Sequence, residues 1–321
     1  MAHVTEYFHF GTIALTTAIN AIGVGLGQGI TCNAAIEGMN QQPAAADDVR
    51  NTAILGMALI ETAAVMGTFI SVLLLIQSRN ALDPYYSTLA TIGIAFAICC
   101  SGFVLGLVSA LPARAACLAV ARQPFFSAHI TRFMMISLSL LQTPIIFGFI
   151  IALFIQGQAA TVTTLRDTLR LIASGMCIGL GSIGPAIGLA LFSAKACSGI
   201  GKNRMAYGHI FSFTLISQAI IETPIIFSLI VSVSLLFLVP VQAQEDILDG
   251  VALFAAGLCT GLGTLGPGIS SGRTATAAVD QIAEHPESHG VLSRVSMFSQ
   301  GLIETAAIYA VLISFILLFY R

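Results

Sequence analysis

Tryptophan is absent from this 321-residue chain, and charge is scarce: Asp, Glu, Lys and Arg together make up only 9% of it. Soluble domains carry about 25% charged residues, so this shortage excludes an ordinary water-soluble fold. Hydrophobic residues reach 56% and the mean hydropathy is +0.92, which places the chain among polytopic membrane proteins. The net charge of −2 gives no argument for nucleic acid, and no nucleic-acid partner is expected. A basic region before the first apolar run is also missing, and that run is too long for a cleaved signal peptide, so it reads as the first span. The seven cysteines (Cys32, Cys99, Cys100, Cys117, Cys177, Cys197, Cys259) sit among apolar or small residues without metal-ligand spacing. They are expected to be small buried hydrophobes, with no metal and no cofactor.

What the chain does have is repetition. Glu61, Gln142, Glu222 and Glu304 recur at spacings of 81, 80 and 82 residues, each inside a long apolar stretch and each followed by threonine (Thr62, Thr143, Thr223, Thr305). A carboxylate in the middle of a span costs roughly 3 kcal/mol on insertion scales, so it is usually retained for function. Three acids and one amide in register point to a repeated ion-carrying site with one copy switched off.

Each repeat reads as a Gly-rich apolar segment, a polar loop, and a second apolar segment holding the Glu or Gln. The first segments are expected near 8–36, 87–118, 168–198 and 249–280, the second near 52–77, 130–156, 208–240 and 292–320. All exceed the roughly 20 residues that cross a bilayer as helix. The fold class is therefore an all-α membrane protein with eight transmembrane helices in four tandem hairpins, at 1–80, 81–160, 161–243 and 244–321. The loops within hairpins hold nine Lys and Arg residues; the connectors and termini hold four, Arg79, Arg166, Arg170 and Arg321. That asymmetry puts the hairpin loops on the cytoplasmic (or matrix) side and both termini opposite.

Glycines alternate in the first segments: Gly23, Gly25, Gly27 and Gly29 in unit one, Gly179, Gly181, Gly184 and Gly188 in unit three, Gly261, Gly263, Gly266 and Gly268 in unit four. Unit two is poorer, with Gly102 and Gly106. Each helix-interior glycine costs roughly 1 kcal/mol relative to alanine, so the density calls for close backbone approach on several sides, as in a tight inner ring of helices. Without a preceding strand, a phosphate-cradling loop is excluded.

With these features the chain resembles the proteolipid (c) subunit of F-type ATP synthases, the hairpin of the rotor ring. The family pattern is a Gly-rich first helix, an Arg-Gln-Pro loop and a mid-helix acid. Here the loops read Gln41-Gln42-Pro43, Arg122-Gln123-Pro124, Lys202-Asn203-Arg204 and Glu284-His285-Pro286, each starting 20 residues before its Glu or Gln. The resemblance covers essentially the whole chain, though four hairpins are in tandem, unit three lacks the loop proline and unit two lacks the acid. It implies a c-ring-like rotor built from several copies of this chain, with a stator a subunit, central-stalk subunits that meet the loops, and membrane lipid as partners. The chain would not be catalytic alone. Glu61, Glu222 and Glu304 would carry the ion, neutral while facing lipid and charged at the stator. Gln142, which cannot ionise, would be a degenerate site.

The choice of ion follows from the ligands. Sodium-type members pair a helix-one Gln with a Ser or Thr after the Glu. Thr62, Thr223 and Thr305 meet the second condition, but the Gln28 position becomes Ser109, Leu189 and Ser271 in later units. Gln218 and Gln300, one turn before their acids, are further candidate supports, as is Tyr309, five residues after Glu304. Such unequal sites favour H⁺ over Na⁺, because a carboxylic acid needs only one acceptor. Pro144 and Pro224 free the carbonyls of Leu140 and Ile220 beside two of the sites. Two other readings stay open: a V- or A-type pump proteolipid, and an independent transporter built from repeats. Three acids in four hairpins fit the F-type pattern better.

Overall fold

The computed structural model describes residues 2–76, 84–239 and 247–319. Among these residues, eight helical spans of 34 to 38 residues are long and apolar enough to cross a membrane. The multi-pass, all-α class expected from composition is what the structure has. Arg79 and Arg321, and the boundaries at 80/81 and 243/244, lie outside the described residues; the 160/161 boundary falls between the second and third hairpins.

Eleven helices make up the spans, because proline interrupts three of them. The first helix of each hairpin is α1 (Ala2–Gln41), α3–α4 (Pro84–Val108, Ala110–Arg122), α7 (Leu165–Lys202) and α9–α10 (Ile247–Gly263, Leu265–Glu284). The second is α2 (Ala46–Ile76), α5–α6 (Ser127–Leu141, Thr143–Ala159), α8 (Tyr207–Phe237) and α11 (His289–Phe319). The breaks at Ser109, Gln142 and Thr264 precede Pro112, Pro144 and Pro267 by two or three residues, where the missing N–H leaves a carbonyl without its helical partner. Helices α7 and α8 stay continuous through Pro185 and Pro224.

The expected polar loops are shorter than the sequence suggested. The helices run on past their apolar segments to a turn with one extended residue, φ between −131° and −141°, followed by three residues of 3₁₀ helix. Gln42, Gln123, Asn203 and His285 each donate their N–H to the carbonyl four residues back, and their own carbonyls accept from Ala45, Phe126, Ala206 and Ser288. Proline after the extended residue enforces this backbone in units one, two and four. Unit three reaches the same turn by another route: the Asn203 side chain accepts from the Met205 N–H at 3.0 Å. Gln41, Arg122, Lys202 and Glu284 are thus helix ends rather than loop residues.

The first helices stand side by side in chain order as an inner row, and the second helices cover them as an outer row. Glycine sets the inner spacing. A Cβ on Gly27 would strike the carbonyl of Gly106, and one on Gly188 would strike the backbone of Gly268 and Gly272. Three of the four hairpins are stitched inner to outer helix: Ser71 donates to the Ile13 carbonyl at 2.9 Å, Ser232 to Ser174 at 3.0 Å, and Ser314 to Ala256 at 2.7 Å. Unit two has Ala152 at the corresponding position and lacks the bond donor.

At the terminus-side end, a buried ionic knot joins the last three hairpins. Arg166 pairs with Asp167 at 3.0 Å and with Asp249. Arg170 donates to the carbonyls of Leu235, Leu236 and Val239 at the end of α8 and to Gln158 Oε1 on α6. These arginines, which the sequence offered only as topology markers, are buried, and a charge away from water needs acceptors of this kind beside it.

The inner row is open at both ends. Gly25 and Gly29 of α1 and Gly266 of α10 would meet nothing within 4 Å. Gly188→Leu should therefore lower the thermal stability of the purified chain in detergent by several kcal/mol, through overpacking of two backbones. Gly25→Leu should leave the stability of the isolated, unassembled chain unchanged within about 0.5 kcal/mol, as a substitution with no packing partner within the chain.

Candidate functional site

The four aligned residues form a row along the outer helices: Glu61 in α2, Gln142 at the α5–α6 break, Glu222 in α8 and Glu304 in α11. Glu61, with no preceding outer helix, is exposed; Glu222 is half-buried; Gln142 and Glu304 are buried.

Two of the threonines reach the site of the following hairpin. Thr62 lies 2.6 Å from Gln142 Oε1 and Thr143 lies 3.4 Å from Glu222 Oε1, whereas Thr223 bonds the Ala219 carbonyl of its own helix at 3.4 Å. Sequence spacing put each threonine beside an acid without fixing which hairpin's acid it meets. Thr305, at the end of the row, bonds only its own helix, at 2.7 Å to the Leu302 carbonyl.

Gln142 is held at both ends of its amide. Its Oε1 accepts from Thr62 and its Nε2 donates to the Leu59 carbonyl at 3.1 Å. A backbone carbonyl can only accept, so the amide orientation is fixed by the network. The helix break makes room for this: Gln142 bonds back to Ser139 rather than to residue 138, and the Leu140 carbonyl freed by Pro144 takes the Thr143 hydroxyl at 2.8 Å. A neutral carboxylic acid also carries one donor and one acceptor, and could make the same pair of bonds.

The glutamine candidates hydrogen-bond groups other than the carboxylates. Gln28 donates to the Met57 carbonyl at 3.4 Å, one turn from Glu61. Gln218 donates to Ser193 Oγ at 2.8 Å, and Gln300 to Ser296 at 3.0 Å and Ser217 at 3.3 Å. Both amides are fully buried, and their Oε1 atoms, like Glu304 Oε1, have no protein partner among the described residues. Ser193 and Ser217 were not singled out from the sequence; only the helix faces reveal them. Tyr309 is 67% exposed. No group of three or more His, Cys, Asp or Glu that could hold a metal occurs among the described residues.

These features define a polytopic helical membrane protein of tandem hairpins, with a row of acids, one replaced by an amide, bridged between neighbouring outer helices. The family of the ATP synthase C subunit matches residues 12–74, 172–235 and 254–317, more than half of the chain, and the chain belongs to that family. The matched stretches are hairpins one, three and four; the unit carrying Gln142 lies between the first two. Among similar proteins, the ATP synthase c subunit of Dehalococcoides mccartyi (strain CBDB1) is 39% identical over 71 residues, covering 22% of this chain and 93% of the relative. The ATP synthase c subunit 2 of Cereibacter sphaeroides (strain ATCC 17029 / ATH 2.4.9) is 41% identical over 68 residues, 21% of this chain and 82% of the relative. The ATP synthase c subunit of Prochlorococcus marinus (strain AS9601) is 36% identical over 76 residues, 24% of this chain and 94% of the relative. Each of these relatives is therefore about one hairpin long.

Thr62→Val should leave Gln142 Oε1 buried without a donor and destabilise the chain by about 1–3 kcal/mol in detergent unfolding. Thr305→Val, removing a bond only to its own helix, should change the stability of the isolated chain by less than about 0.5 kcal/mol.

Proposed function

We propose that this chain is the rotor-ring proteolipid of a rotary ATP synthase, carrying protons on Glu61, Glu222 and Glu304 while Gln142 stays permanently neutral. The observation that carries the reading is the clamp on Gln142. Its amide occupies the bonding pattern of a protonated carboxyl, with a threonine of the preceding hairpin as donor and the Leu59 carbonyl as acceptor. Sodium would instead need oxygen ligands where the amide donates, and the unequal surroundings of the three acids supply no common set of them.

The open row supports assembly into a ring of copies. Glu61 has no threonine before it and Thr305 has no acid after it, so a second copy placed head to tail would complete both. Gly25 and Gly29 at one edge and Gly266 at the other leave room for the backbone contact seen within the chain. The turns would meet the central stalk through Gln41, Gln42 and Pro43, Arg122, Gln123 and Pro124, Lys202, Asn203 and Arg204, and Glu284, His285 and Pro286. Phe125 and Met205 stand fully or largely exposed beside them. A stator subunit would receive each acid in turn from the lipid-facing side. The nine basic residues near the turns support placing them on the cytoplasmic or matrix side of a bacterial or organellar inner membrane.

Carbodiimide attacks protonated carboxyls, which gives the test. Labelling should fall on Glu61, Glu222 and Glu304, and should disappear as pH rises and the acids lose their protons. Sodium at fixed pH should leave the labelling rate unchanged; slowing by sodium would mean that the acids carry that ion instead. Gln142→Glu should fold, keep both clamping bonds in its neutral form, and add a fourth labelled position per chain. A Gln142→Glu protein that fails to assemble would overturn the lost-carrier reading.

A further inference from the structure

At the junction of the first two hairpins, the outer helices leave a cavity of about 340 Å³ near the turns. It is lined by Asp48 and Thr52 of α2 and by Ser127, Thr131, Arg132 and Met135 of α5; the lining comes from outer helices, so it opens on the outer surface. A single water needs only about 10–15 Å³ by the same measure, so the space suits a larger group. Its floor is closed by Thr52 and Thr131, whose hydroxyls lie 2.7 Å apart.

The other two junctions carry rings at the equivalent positions. The positions of Asp48 and Ser127 recur 81 or 80 and 80 or 82 residues later as His129 with Tyr207, and as His209 with His289. At those junctions rings fill the place, with centroids 5.4 Å apart in the first pair and 4.6 Å in the second. Only the first junction pairs a small polar residue with a carboxylate.

We infer that this cavity binds the head group of a zwitterionic phospholipid carrying a primary amine, phosphatidylethanolamine, from the turn-side leaflet. Charge complementarity selects it. Arg132 offers a forked guanidinium to the phosphate, and Asp48 offers a carboxylate to the ammonium. Both side chains are exposed, and neither makes an ion pair among the described residues, whereas neighbouring Arg50 is taken by Asp47 at 3.1 Å. Depth agrees. Asp48 precedes Glu61 by 13 residues and Arg132 precedes Gln142 by 10, which at the helical rise is about 20 and 15 Å. With the acids near the midplane, as the proposed function has them, those distances span the head-group layer outside a hydrocarbon half-thickness of about 15 Å. An anionic lipid would leave Asp48 facing like charge, and a choline head group has no N–H to give it.

The test is native mass spectrometry of the assembled protein, released from bilayers holding equal phosphatidylethanolamine and phosphatidylglycerol. One retained phosphatidylethanolamine per chain is expected, about tenfold over phosphatidylglycerol. Arg132→Gln should reduce retention of both about tenfold, and Asp48→Asn should shift the preference to phosphatidylglycerol. The pair Asp48→His with Ser127→Tyr copies the residues of the second junction and should fold and exclude lipid. Equal retention of the two lipids by the unaltered protein, or undiminished retention by the filled variant, would overturn the inference. Carbodiimide labelling of the same samples reads the carriers separately, so failure of the lipid site and failure of the rotor reading give different results.

Discussion

Direct backbone contact between neighbouring inner helices is the constraint from which the rest of this structure follows. In hydrocarbon, apolar side chains gain nothing by leaving lipid for one another, so helices associate through close packing and internal hydrogen bonds. Gly27 against Gly106, and Gly188 against Gly268 and Gly272, bring carbonyls to distances that no Cβ would permit. That spacing fixes the inner row. The outer helices, joined by turns with one extended residue, have to sit over the inner ones at wider spacing. A row of polar groups at wider spacing can be bridged only by side chains reaching sideways, and Thr62 to Gln142 and Thr143 to Glu222 are those bridges.

The same constraint explains how the units differ. Hairpin two has no Ser at residue 152 to bond its inner helix, and it is the unit whose outer helix breaks at Pro144 and whose acid is an amide. The break lets Gln142 turn both ends of its amide to α2, so a unit that cannot ionise still holds its neighbour. Hairpin three lacks the turn proline, yet Asn203 caps the same turn. It also supplies Arg166, Asp167 and Arg170, which tie hairpins two to four together on the opposite side. Fusion into one chain permits this inequality: each hairpin has a fixed place in the row, and a substitution can be matched by a neighbour of known identity.

Much of this was legible in the residues. The absence of charge, the 80-residue period, the constant 20-residue interval from helix end to Glu or Gln, and glycines too dense for ordinary helices gave eight spans, four hairpins and the row of acids. The length of the turns was not legible. Polar composition reads as loop, but backbone groups at helix ends are best satisfied by continuing the helix, so Arg122 and Lys202 became last helical residues. Gln218 and Gln300 are spaced one turn from their acids, which made them candidate ligands. The angle of each helix about its axis, which spacing along the chain does not give, turns their amide N–H groups to Ser193, Ser217 and Ser296.

By itself, then, the sequence determined the membrane setting, the hairpin count and which residues are placed at the depth of the site, because all three depend on periodicity and hydropathy along one dimension. Only the tertiary structure decided which hairpin each side chain serves. A threonine next to its acid in the chain points away from it on the helix and toward the acid of the next hairpin. That pairing depends on the lateral distance between outer helices, which is set by glycine contacts in the inner row, such as Gly27 against Gly106, 35 and 36 residues before Thr62 and Gln142.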